Sequence, residues 1–266
     1  VLNYDLAVGA GTTLRVIKND RNSAPATLTV SAGHTLENHG DVHVDEGSKV
    51  VLEEGAGALN NTGTLWLDSG VIELWGGPAQ AQGQGRVLGT GQVRIPLTAG
   101  MVQDIPNQTY TGSEIRPDVA VAPQTMWNYT ANYANPADYT VTGYENNISV
   151  GTAAVGLAPA AGGKLLNKGE VKKAFEIVPA GYTMAVTDTL TVREGESGLL
   201  AKLNALASTE PEGVLGQGTL SWTYNGQPVQ ADTLAGEPAG GPYTVNWAFQ
   251  LNTGNYAPQT MQGTVE

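Results

Sequence analysis

The apolar positions of the first hundred residues fall into one recurring unit. Leu28-Thr29-Val30-Ser31-Ala32-Gly33, Val42-His43-Val44-Asp45-Glu46-Gly47 and Leu65-Trp66-Leu67-Asp68-Ser69-Gly70 share the form apolar-x-apolar-x-x-Gly, and Leu6 to Gly11 follows it too. Alternation of apolar and polar residues is the period of a strand with one buried face. A second match sets the repeat length: Leu36, Asn38, Gly40 and Val42 return as Leu59, Asn61, Gly63 and Leu65, each 23 positions on. A fixed period of this size, with short strands and Gly or Asn corners, predicts stacked coils in which Leu36 lies over Leu59 and Val42 over Leu65. Asn38 over Asn61 would then form an amide ladder at an inward corner. This spacing predicts a short parallel β-helix of about four rungs over residues 1–100, similar to pectin-lyase-like β-helices; a β-sandwich of meandering hairpins is the alternative. Gly76 to Gly91, rich in Gly and Gln, is expected to be a loop that breaks the pattern, with Gln92-Val93-Arg94-Ile95 returning as a strand.

From Tyr110 to Ile177 the texture changes. Tyr139 and Val141, then Ile148 and Val150, alternate with polar residues and predict two strands joined by Glu145-Asn146-Asn147, since Asn tolerates the positive φ of tight turns. Ala154, Gly156 and Ala158 mark the next strand only weakly. Gly143 reads as an extra residue, hence a bulge. Phe175 and Ile177 alternate again. The segments Tyr110-Thr111-Gly112-Ser113-Glu114-Ile115-Arg116-Pro117, Asp138-Tyr139-Thr140-Val141, Asn146-Asn147, Gly151-Thr152-Ala153 and Phe175-Glu176-Ile177 resemble the Ig-like, MBG-like repeat of bacterial surface proteins. The resemblance implies a small β-sandwich. It departs from the repeat at Ala160 to Lys164 and in the long aromatic segment Pro123 to Pro136.

The last stretch carries alternating strands at Leu220, Trp222, Tyr224 and at Tyr243, Val245, Trp247, Phe249. Asn225-Gly226 between Tyr224 and Gln227 predicts a two-residue hairpin turn. Gly241-Pro242-Tyr243-Thr244-Val245 and Asn255-Tyr256-Ala257 also resemble bacterial Ig-like repeats. Leu199, Leu200, Leu203, Leu206 and Ala207 have the spacing of an amphipathic helix, expected near 198–207 as a cap over the sandwich. The expectation is therefore an all-β chain: a β-helix-like domain over 1–100 and two Ig-like β-sandwich domains over 101–178 and 179–266, with junctions at Pro96 to Pro106 and at Pro179.

Composition narrows the function. Thirty-five glycines and a charged fraction of 14% suit many strands and turns better than long helices. A net charge of −12 repels phosphate backbones, so nucleic acid is not an expected partner. No apolar run reaches the roughly 18 residues of a membrane span, so membrane insertion is not expected. Cysteine is absent, which excludes disulfides, zinc thiolates and cysteine nucleophiles. The ends, Val1 and Glu266, read as cuts in something longer, expected to act as a monomer when isolated.

Candidate chemistry is sparse. His34, His39 and His43 share one window, but their placement around Leu36 and between Val42 and Val44 does not make them converge, so no metal site is expected. Asp41, Asp45, Glu46, Glu53 and Glu54 lack the alternating Asp spacing of a calcium loop and read as a solvated edge. Confinement of His to this window leaves no Ser/His/Asp triad. Neither an enzyme nor a cofactor is expected. Trp66, Trp75, Trp127 and Tyr129 are the aromatics suited to stack on sugar rings, with Tyr133 beside them in the sequence and packing against neighbouring chain as the competing role. The sequence expectation is a non-catalytic piece of a bacterial secreted or cell-surface protein, extracellular or wall-associated, acting as spacer and adhesive module toward a glycan or a host or surface protein. The alternative is the carbohydrate-binding accessory region of a carbohydrate-active enzyme.

Overall fold

The alternation of the first hundred residues becomes twelve short strands: β1 (Leu6–Val8), β2 (Thr13–Val16), β3 (Thr27–Val30), β4 (Leu36–Asn38), β5 (Asp41–Val44), β6 (Lys49–Leu52), β7 (Leu59–Asn61), β8 (Thr64–Leu67), β9 (Val71–Leu74), β10 (Ala81–Gln82), β11 (Arg86–Gly89) and β12 (Gln92–Pro96). They are seen in a computed structural model that describes residues 1–18, 24–193, 195–234 and 237–266. Every third strand pairs in parallel, giving three sheets ordered β1-β4-β7-β10, β2-β5-β8-β11 and β3-β6-β9-β12. The chain therefore visits the same three sheets four times.

The register is the one the 23-residue spacing implies. Leu36 pairs with Leu59, Val42 with Leu65 and Val44 with Leu67. In the third sheet the offset shortens to 22, Val50 pairing with Ile72 and Leu52 with Leu74. All ten of these side chains are at most 1% exposed. Each fully buried aliphatic of this size contributes about 1.5–3 kcal/mol relative to an exposed one. Asn38 and Asn61, also buried, join side chain to side chain, Asn38 Nδ2 donating to Asn61 Oδ1 at 2.7 Å. That bond satisfies amides that would otherwise be costly inside an apolar stack.

Residues 76–91 depart from the expected loop. After a single 3-10 turn at Pro78–Gln80, β10 and β11 carry the pattern through a fourth visit, with Ala81 opposite Leu59 and Val87 opposite Leu65. Gly83, Gly85, Gly89 and Gly91 are close-approach positions: a Cβ on Gly83 would lie 2.2 Å from the Asn61 carbonyl oxygen.

The middle of the chain contributes β13 (Gln108–Thr109), β14 (Gln124–Met126), β15 (Tyr129–Ala131), β16 (Tyr139–Glu145), β17 (Gly151–Pro159), β18 (Leu165–Leu166) and β19 (Val171–Val178). β14 and β15 form a hairpin, β18 extends the third parallel sheet beside β12, and the others form a sheet ordered β13-β19-β17-β16. The expected bulge is present: Val141 pairs with Leu157 and Gly143 with Gly156, leaving Thr142 over. Asn146 takes φ 54° in the turn. The expected strand at Ile148–Val150 is not formed; Ile148 lies in a bend and is 49% exposed. The strand is instead the weakly marked stretch after it, β17, because Ala153, Val155 and Leu157 alternate inward and are buried. Met126, Tyr139, Val155 and Leu157 belong to the same apolar cluster as the parallel strands.

The last segment holds β20 (Thr183–Val186), α1 (Leu199–Asn204), β21 (Ala207–Glu210), β22 (Gly218–Tyr224), β23 (Gln227–Pro228), β24 (Val245–Leu251) and β25 (Met261–Val265). β20 and β21 pair antiparallel, and the other strands form an antiparallel sheet ordered β23-β22-β24-β25. Asn225 and Gly226 take φ 50° and 77° between the paired residues Tyr224 and Gln227. Leu199 and Leu203 of α1 pack with Trp222, Val245 and Val265, and the Trp222 indole donates to Asn204 Oδ1 at 2.8 Å. The helix is shorter than its apolar stripe suggests, because Ala207 opens β21 and pairs with Val186.

The described residues are thus nearly all β, in parallel and antiparallel sheets. The chain divides into two compact units, one of residues 1–106, 116–145 and 153–175 and one of 107–115, 146–152 and 176–266. Among the described residues no helix is long and apolar enough to cross a membrane.

Candidate functional site

The outward positions of the second parallel sheet make the richest chemical surface among the sequence candidates. Period-two alternation turns Leu14, Val42, Leu65 and Val87 inward and leaves their neighbours outside. One row across β2, β5, β8 and β11 is Thr13, Asp41, Thr64 and Arg86; the next outward row is Arg15, His43, Trp66 and Leu88. His43 and Trp66 stack with ring centroids 5.7 Å apart and planes 20° from parallel. The rings stand side by side along the sheet, as identical register positions on strands about 4.8 Å apart require. One face of Trp66 is therefore taken by His43, and the ring keeps 36% exposure. Arg15 lies 4.0 Å from Asp45 across solvent-exposed surface, a weak pair.

The other aromatic candidates are spent elsewhere. Trp75 is half-buried and donates its indole N–H to Glu73 Oε2 at 3.2 Å, a carboxylate that also takes Lys49 Nζ at 3.2 Å. Trp127, at φ 54°, donates to the carbonyl of Gln82 at 2.6 Å, and its neighbour Asn128 accepts from the Val87 amide. Trp127 and Tyr129 are half-buried against the apolar cluster. Of the four candidates, Trp66 is the one with a ring contact among the described residues, and that contact is with His43.

The histidines do not converge. His34 Nδ1 lies 3.7 Å from Asp5, while His39 Nδ1 lies 2.8 Å from Thr62 Oγ1 and its Nε2 3.9 Å from Glu37. Three of the acidic candidates pair one by one with cations far off in sequence: Asp45 with Arg15, Glu46 with Lys18, and Glu54 with Lys168. No group of three or more His, Asp or Glu able to hold a metal occurs among the described residues. Compared with protein families, curated proteins and solved structures, the chain matches none.

Sequence reasoning missed Arg15, Thr64 and Arg86, which complete the face; the 23-residue offset reaches Thr64 from Asp41, but Arg86 lies 22 residues after Thr64 and Arg15 lies 28 before His43. Tyr133, grouped in the sequence with Trp127 and Tyr129 as a ring suited to stack on sugars, has its hydroxyl buried without a hydrogen-bond partner among the described residues. Burial, with the neighbouring Tyr129 and Asp138 charges, pushes that phenol well above the ordinary tyrosine value. Its folded-state value is raised, so its contribution is complete below about pH 10 and is lost as pH rises further. Tyr133→Phe is expected to leave the melting temperature at pH 7 unchanged or slightly higher, because no bond is broken. The same variant is expected to lessen the loss of stability above pH 10 in a thermal melt series.

Proposed function

We propose that this chain is a non-catalytic spacer and interaction module of a bacterial secreted or cell-surface protein. In this reading the three parallel sheets are a short β-helix of four turns, and the segments around Tyr110 to Ile177 and after Ala180 are Ig-like. The antiparallel pairing of β16 with β17 and the buried Tyr139, Phe175 and Ile177 support the Ig-like assignment of the middle segment.

One observation carries the functional reading. The side chains with chemical potential in the parallel region tie one turn to the next. Asn38 holds Asn61, Asn60 holds Glu37, His39 meets Thr62 and Lys49 holds Glu73, each link joining positions 23 or 24 apart. Groups engaged this way serve cohesion of the stack. A cysteine-free, acidic chain with its polar groups so used fits an exported structural element, and its partner class is a glycan or a host or surface protein.

The His43–Trp66 face favours a second reading, the carbohydrate-binding accessory region of a carbohydrate-active enzyme. Trp66, Arg15, Arg86 and Thr64 together offer an apolar edge and hydrogen-bonding groups, the mixture that sugars require. A glycan array separates the readings. Saturable binding that disappears in Trp66→Ala supports the second; binding that survives in Trp66→Ala, or retention on host or bacterial surface proteins instead, supports the first. Turnover of a bound polysaccharide would overturn both.

A further inference from the structure

The second unit carries a half-open cavity of about 730 Å³. Its walls come from the loop before α1, from α1 itself and from the strand ends, through Leu190, Val192, Leu199, Leu203, Val245 and Val265. Leu199, Leu203, Val245 and Val265 are core residues of this segment, whereas Leu190 and Val192 are only half-buried. Among the described residues the apolar core is thus open on one side, and the cavity's volume lies in the range of small-molecule sites.

We propose that this cavity binds a small, largely apolar organic ligand that carries no negative charge. The mouth decides the charge of the occupant. Lys202 is engaged by Glu196, and the Lys202 hydrogen bond holds the Glu196 carboxyl below the ordinary value. Glu237 accepts the Tyr224 hydroxyl at 2.9 Å. Arg193, Asp232 and Glu266, all lining residues, add one cation and two anions. Among the described lining residues the six charged side chains are four acids and two bases, and one of the bases, Lys202, is already paired, so an anionic ligand meets a net negative rim. Apolar contact is what the walls supply, and covering Leu190 and Val192 removes aliphatic surface from water.

The test is titration with Nile red, a neutral dye whose emission rises and shifts to the blue in apolar surroundings. The intact chain is expected to give a saturable one-to-one response. Val192→Trp, which fills the cavity from a half-exposed position, is expected to weaken the dye at least tenfold while keeping a cooperative melt. Glu212→Trp, which adds the same ring on exposed surface away from the cavity, is expected to leave the titration unchanged. An absent or non-saturating response in the intact chain, or equal binding by Val192→Trp and Glu212→Trp, would overturn the proposal. Tighter binding of the anionic dye anilinonaphthalene sulfonate than of Nile red would overturn the exclusion of anionic ligands.

Discussion

Val42→Asp is expected to destabilise the protein by roughly 3–5 kcal/mol, the cost of an uncompensated buried charge. Val42 is fully buried and pairs with Leu14 on one side and Leu65 on the other, both inward-facing. A carboxylate there has no cation and no free donor within the aliphatic column. It would either stay ionised at that cost or take up a proton and still lack partners. One residue along, His43→Asp is expected to cost about 1 kcal/mol, the worth of a stacked ring pair. His43 faces outward, so the new carboxylate stays hydrated, and what is lost is the contact with Trp66. Urea midpoints at constant slope measure the difference directly. Equal destabilisation by the two substitutions, or tolerance of Asp at position 42, would remove the inward column and with it the stacked register.

The two residues also show how far the sequence could be followed. The apolar period is strong where Leu36, Val42, Leu59 and Leu65 supply large side chains, because burial of such groups constrains which residues may appear. It fades at Ala81 and Gly83, where the constraint is the nearness of the neighbouring backbone. A glycine demanded by close approach looks, in sequence, like a glycine in a loop, so β10 and β11, the first two strands of the fourth visit, escape hydrophobic patterning, whereas Val93 and Ile95 mark β12. The same blindness affects β17, whose inward Ala153 is small, and Ile148, which is apolar yet sits in a bend. The His43–Trp66 stack was within reach of the 23-residue offset, which relates those two positions as it relates Val42 and Leu65. The pairing of Asp45, Glu46 and Glu54 with Arg15, Lys18 and Lys168 was not, because ion partners obey no period.

Gly63→Ala is expected to cost about 3 kcal/mol or more, at the severe end of overpacking. A Cβ at this position would stand 2.0 Å from the carbonyl oxygen of Gly40 and 2.9 Å from its carbon and nitrogen. Gly63 does not take a positive φ, so the penalty is one of space alone. Nor can the neighbour withdraw at small cost. The Gly40 carbonyl accepts the Thr64 amide at 2.8 Å, and Gly63 itself donates to the Asn38 carbonyl at 3.0 Å. Both bonds hold the corner of one turn against the corner of the next, and the buried Asn38–Asn61 pair adjoins them. A methyl group inserted here must part the two turns and strain those bonds together. Gly33→Ala provides the contrast. Gly33 has φ +81° with open space where its Cβ would go, so it should cost only the roughly 1–2 kcal/mol of a left-handed alanine. If Gly63→Ala proves no more harmful than Gly33→Ala in chemical denaturation, the two corners do not meet at this distance. The glycines of the repeat would then be conformational turn residues alone.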